Sequence, residues 1–197
     1  MRRRSSCAVI TVIALLVLVG GVFGVTNILR NVSVIHFGVQ QPTLSAQQSP
    51  TPGPTLGSNS ESQIAQVVFQ AINKDRVAAG LPALQWNDAL VGGAHKHNLR
   101  MAAANQLAHQ LPGEPDLGAR ITQDGLQWVF AAENIGETSD QSVNGTLSLH
   151  KAMMAERPPD DGHRQNILTR DGTTIGIDVL IDGNTHMLWL TEDFAKV

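Results

Sequence analysis

Thr173-Thr174-Ile175-Gly176-Ile177-Asp178-Val179-Leu180-Ile181, then Asp182-Gly183-Asn184, then Thr185-His186-Met187-Leu188-Trp189-Leu190-Thr191-Glu192-Asp193-Phe194: two apolar, β-branched runs around an Asp-Gly-Asn turn predict a hairpin near the C-terminus. The pattern upstream is mostly helical. Ser60 and Gln63 form a capping box, and Ile64, Val67, Val68, Ala71 and Ile72 recur at helical spacing until Gly80. Leu81 to Asn87 breaks that pattern, and Asn87 can cap a second helix with Leu90, Ala94, His97 and Met101 on its inner face. Gly92-Gly93 either weakens this helix, by about 1 kcal/mol per glycine relative to alanine, or permits close helix contact. A short helix is expected over Asp116 to Asp124 and a strand over Gln127 to Ala132. A further helix over Ser142 to Glu156 places Val143, Leu147, Met154 and His150 on one face. Helices first and a hairpin last predict an α+β sandwich, with helices packed over an antiparallel sheet.

Three blocks between these elements carry the polar chemistry: Leu107-Ala108-His109, Ala132-Glu133-Asn134-Ile135-Gly136 and Gly162-His163-Arg164-Gln165-Asn166-Ile167-Leu168. Together with Ala94-His95-Lys96-His97-Asn98-Leu99-Arg100-Met101 and Gly176-Ile177-Asp178, their order resembles the CAP superfamily of cysteine-rich secretory, antigen 5 and pathogenesis-related proteins, over roughly Ser60 to Val197. The resemblance implies an α-β-α sandwich of the CAP/SCP type, of the bacterial kind without disulfides. It also implies that His109, Glu133 and His163 meet in one cleft, with Glu156 at a fourth family position. The chain departs from the Trp-Met-x-Ser-Pro-Gly-His-Arg pattern of many bacterial relatives. Its residues there are Met153-Met154-Ala155-Glu156-Arg157-Pro158-Pro159-Asp160-Asp161-Gly162-His163-Arg164, with no tryptophan and a longer loop.

Imidazole and carboxylate together bind a divalent metal or exchange protons. Two readings therefore stand for the cleft. In one, His109 and His163 ligate a cation such as zinc and leave a position open for water. In the other, they and Glu133 form a hydrogen-bonded polar knot between sheet and helices. His150, on the helix that leads to Glu156, is expected in the core or at its boundary, with a place in the cleft as the alternative. His97 is expected as a partly buried structural histidine, and His95 and His186 as surface residues. Arg164 and Asn166 are expected to hold the His163 loop by hydrogen bonds. The extra acids Asp160 and Asp161 attract a cation or solvate the insertion. No Gly-x-Ser-x-Gly elbow, Gly-rich phosphate loop or Cys-His pair is present.

The 197 residues, 42% of them hydrophobic, suffice for one folded domain plus appendages. All 17 acidic side chains lie beyond Ser60, whereas Arg2, Arg3, Arg4 and Arg30 precede it. An acidic domain argues against nucleic acid as a partner. Behind the three arginines, Cys7 to Val25 is an uncharged apolar run long enough to span a bilayer. The basic end should stay inside and the rest outside. Residues 1–30 are thus read as a signal anchor, with secretion after signal cleavage as the alternative. Residues 31–59 are read as a disordered Pro/Ser/Gln-rich stalk, and 60–197 as the domain. Cys7 is the single cysteine, so the domain must fold without a disulfide.

The sequence thus leads to a membrane-tethered domain, displayed outside the cell, that binds an envelope polymer, a lipid or a protein. A metal-assisted hydrolase, with Glu133 as base on a metal-bound water, is the second reading. A structural or adhesive domain with a vestigial cleft is the third.

Overall fold

The computed structural model describes residues 60–197. The expected membrane segment over residues 7–25 and the stalk over 31–59 lie outside the described residues. Among the described residues no helix is long and apolar enough to cross a membrane.

Local signals set the helix ends. Helix α1 (Glu61–Ala78) starts in the expected capping box: the Gln63 N–H donates to Ser60 Oγ and the Ser60 N–H to Gln63 Oε1. It ends at Gly80, whose φ of +72° few other residues adopt. Helix α2 (Asp88–Ala104) is capped by Asn87, whose Oδ1 accepts from the Ala89 and Leu90 N–H groups. Asp116 caps α3 (Leu117–Gln123) and Ser142 caps α4 (Val143–Ala155).

Between α1 and α2 the segment expected as a plain break holds a short strand, β1 (Gln85–Trp86). Strand β2 runs over Phe130–Thr138, later and longer than the expected Gln127 to Ala132. Its polar centre, Glu133-Asn134, is buried and so hides the alternation that would have revealed it. The segment around His163 is not a loop but a short helix, α5 (Gly162–Ile167). The terminal hairpin forms as expected from β3 (Thr174–Asp182) and β4 (Met187–Lys196).

The sheet has the order β1-β3-β4-β2 and is mixed, because β1 pairs parallel to β3 while the other pairings are antiparallel. β2 is therefore an edge strand. On one face, Ile64, Val68 and Ile72 of α1 and Leu149 and Met153 of α4 pack with Ile175, Ile177, Val179, Leu188, Leu190 and Phe194 of the hairpin. On the other, Leu90 and Met101 of α2 and Ile121 of α3 meet Ala131, Ile135, Trp189 and Ala195. This is an α+β fold with helices on both sides of the sheet.

One expectation about faces needs correcting. The buried face of α4 is Thr146, Leu149, His150 and Met153, whereas Leu147 and Met154 are only half-buried. The stripe is rotated because α4 packs against both α1 and β2, and its contacts decide which side turns inward. Of the two glycines expected to permit close helix contact, Gly93 does so, against the Asp124 carboxyl at the end of α3, while Gly92 has open space. The approach of α2 to the sheet is set by Gly176, where a Cβ would stand 2.3 Å from the Val91 nitrogen.

Candidate functional site

Side chains alternate across a strand, so adjacent residues of β2 face opposite layers. Glu133 points to the α2–α3 side and Asn134 to the α4–α5 side, as their partners show. The site is built around this edge strand, one half on each side.

On the α2–α3 side, His109 lies in the connection from α2 to α3 and its Nδ1 is 2.9 Å from Glu133 Oε1. A carboxylate accepts, so Nδ1 carries a proton, and in the neutral ring Nε2 keeps its lone pair. The other oxygen, Glu133 Oε2, accepts from Arg120 Nη2 at 2.7 Å, and the same Nη2 lies 3.2 Å from the His109 carbonyl. Behind them His97 is fully buried, not partly, with Nδ1 2.9 Å from Glu114 Oε1 and Nε2 3.7 Å from Glu133 Oε2. Asp193 sits opposite Glu133 in the β2–β4 register.

The electrostatics follow from this crowding. Burial pushes Glu133 up, but the bond from His109 and the charge of Arg120 outweigh it and hold its pKa down at about 2. Burial, and then the neighbouring charge of Glu133, push Asp193 well above the usual carboxyl range, against the opposing pull of Arg120. Burial pulls the Arg120 guanidinium down, but Glu133 and Asp193 beside it leave it raised.

On the α4–α5 side, His163 is 6% exposed. Its Nδ1 bonds Glu156 Oε1 at 2.5 Å, which again leaves Nε2 free of a carboxylate partner. Glu156 Oε2 accepts from the His163 and Arg164 backbone N–H groups at 3.0 and 3.3 Å. Glu156 thus caps α5, where Asp161 at the N-cap position makes no side-chain cap bond. Asn166 holds the segment as expected, through bonds of 3.2 Å to the Glu133 carbonyl and 2.9 Å to Asn134 Oδ1. Arg164 contributes its backbone N–H rather than its guanidinium. Asn134 Nδ2 donates to the His163 carbonyl and to Glu192 Oε2. Glu192 is fully buried, and burial raises its pKa.

The structure therefore pairs His109 with Glu133 and His163 with Glu156. Among the described residues no hydrogen bond runs between the side chains of the two pairs; Asn166, bonded to the Glu133 carbonyl, and Asn134, bonded to the His163 carbonyl, link them. His150 bonds Asp75 of α1 through Nε2 at 2.8 Å and so braces α4 against α1. His95 pairs with Asp178 at the surface, and His186 sits in the hairpin turn with φ +57°. Sequence reasoning missed Arg120, Glu114, Glu192 and Asp193. The last two had a readable signal: adjacent acids inside an apolar central strand must face both layers and be buried on either.

The metal reading asks for His109 and His163 as ligands, with a position left open for water. Glu133 accepts from an imidazole at one oxygen and from a guanidinium at the other. Among the described residues no group of three or more His, Cys, Asp or Glu side chains is disposed to hold a metal ion.

A family model described as CAP, cysteine-rich secretory protein family, matches residues 69–194. No curated protein matches the chain. Among solved structures, an extracellular protein containing an SCP domain from Bacillus anthracis is similar with a TM-score of 0.60 at 23% identity, over 76% of this chain and 45% of that one. An outer surface protein from Borrelia burgdorferi gives 0.61 at 16% identity, over 70% and 96%. A cysteine-rich secretory protein from Staphylococcus aureus gives 0.53 at 18%, over 78% and 44%. The chain thus spans less than half of the Bacillus and Staphylococcus proteins. At these identities the likeness is one of fold.

Proposed function

Because this chain belongs to the cysteine-rich secretory protein family, we propose that it is an extracytoplasmic binding domain, held at the cell membrane through residues 7–25. Its ligand is an envelope polymer, a lipid or a protein, and it docks beside edge strand β2 at His109, Glu133, His163 and Glu156. One observation carries this reading: each histidine is fixed through Nδ1 by a carboxylate, so each offers Nε2 to a ligand in one defined tautomer. The similar proteins from Bacillus anthracis and Borrelia burgdorferi are described as extracellular and as an outer surface protein, which supports the location.

The hydrolase reading is weaker on physical grounds. A general base works best with a pKa near the operating pH, and Glu133 is held at about 2 by His109 and Arg120. It is a poor base for water, and its role is to orient His109. A binding assay with isolated envelope polymer and lipid vesicles tests the proposal. His109→Ala and His163→Ala should each weaken binding at least about tenfold, a loss near 1.4 kcal/mol, while His95→Ala leaves it unchanged. Equal binding by all three variants contradicts it.

A further inference from the structure

A small cavity of about 60 Å³ opens between α2 and α3, lined by Lys96, Arg100, Glu114, Arg120, Gln123 and Asp124 among others. No member of either histidine pair lines it. Arg120 is 8% exposed, and while its Nη2 serves Glu133, its Nε and Nη1 are buried with no hydrogen-bond partner. Buried N–H groups of a charged side chain are rarely left without an acceptor.

The carboxylates nearby do not supply one. Glu114 Oε1 is 4.0 Å from Arg120 Nε, beyond hydrogen-bond distance, and is itself bonded to His97 Nδ1. Its Oε2 accepts from the Leu111 N–H. Lys96 Nζ holds Asp124 Oδ1 at 2.5 Å, and Asp193 lies outside the cavity lining and makes no hydrogen bond to Arg120 among the described residues. The surplus in the cavity is therefore of donors: Arg120 Nε–H and Nη1–H, with the exposed Arg100 and Lys96 and the Gln123 amide around them. What complements surplus donors on a guanidinium is an acceptor-rich anion.

We propose that this cavity binds a compact oxyanion, a phosphate or carboxylate group, seated on Arg120 Nε and Nη1 and flanked by Lys96 and Arg100. The site goes beyond the histidine cleft, yet shares Arg120 with it, so an occupied cavity also steadies the guanidinium that orients Glu133.

The test titrates the full-length chain with sodium phosphate and with sodium acetate. Sodium chloride at matched ionic strength is the control, and the NMR signal of the Arg120 Nε–H is the readout. The expected result is a saturable shift of that signal with phosphate or acetate and none with chloride; which anion saturates first identifies the class. Gln123→Glu places a negative charge at an exposed position of the lining and should weaken the anion at least tenfold without touching Arg120. Lys96→Gln with Arg100→Gln should do the same. No saturable shift with either anion, or a shift that Gln123→Glu leaves unchanged, overturns the proposal and assigns the N–H groups to water. The readout sits on Arg120 rather than on the histidines, so failure here leaves the cleft reading standing.

Discussion

The two sides of edge strand β2 bury acids in different ways. On the α2–α3 side Glu133 stays ionised, held by His109 and Arg120, while burial and the charge of Glu133 push the pKa of its neighbour Asp193 well up. On the α4–α5 side Glu192 has no cationic hydrogen-bond partner, only the Asn134 amide, and burial raises its pKa. A carboxyl deep in a protein either finds a cation or gives up its charge. The first side consequently depends on one guanidinium, whereas the second rests on amides and a helix cap.

The largest expected effect breaks the first side. Arg120→Met leaves Glu133 ionised and buried without its cation, which should cost about 3–5 kcal/mol in urea unfolding. Adding Glu133→Gln should restore part of the loss. A drop below about 1 kcal/mol would mean that the pair behaves as an exposed one and that the comparison is wrong.

Next in size is Asp193→Asn. The folded-state pKa of Asp193 is raised, so the folded chain holds a proton that the unfolded chain releases above about pH 4, and stability falls as pH rises from there toward the folded value. Asparagine removes that slope and can still donate to Glu133. The variant should match the wild type near pH 4 and gain on it steadily, by about 1 kcal/mol or more at pH 7. A difference independent of pH would show that Asp193 is ionised when buried. Glu133 has the opposite sign: its folded-state pKa is lowered, and its contribution is present above about pH 4.3 and lost as pH falls toward about 2.

The smallest effect belongs to the second side. Glu156→Ala removes the acceptor for the His163 and Arg164 N–H groups at the start of α5, worth about 1 kcal/mol by analogy with helix caps. It also frees the His163 ring, so the loss in ligand binding should exceed what the change in stability explains. Urea unfolding beside the vesicle and polymer assays separates the two.

What could be read from sequence follows the range of the interactions. The caps at Ser60 and Asn87 act within three residues, and the starts of α1 and α2 were legible from them. The hairpin was legible because both of its strands are apolar runs. α5 was not, because its capping carboxylate, Glu156, stands outside the helix and before the Pro158-Pro159 turn. β1 was hidden because two residues owe their strand conformation to pairing with β3, far along the chain. In the site, motif order pointed to His109, Glu133, His163 and Glu156, and the structure joins them in two pairs. Arg120 and Glu114 lie in no motif, and only the packing of α3 and its approach against β2 makes them partners of Glu133 and His97.

The central claim is that His109 and His163 both present Nε2 as a lone pair, each held by a carboxylate on Nδ1. Long-range proton–nitrogen NMR on the imidazole rings of the neutral histidines tests it most directly, since it reads which nitrogen carries the proton. The account predicts the Nδ1–H tautomer for both residues, and loss of that preference at His163 in Glu156→Ala. A proton on Nε2 of either wild-type ring would contradict it.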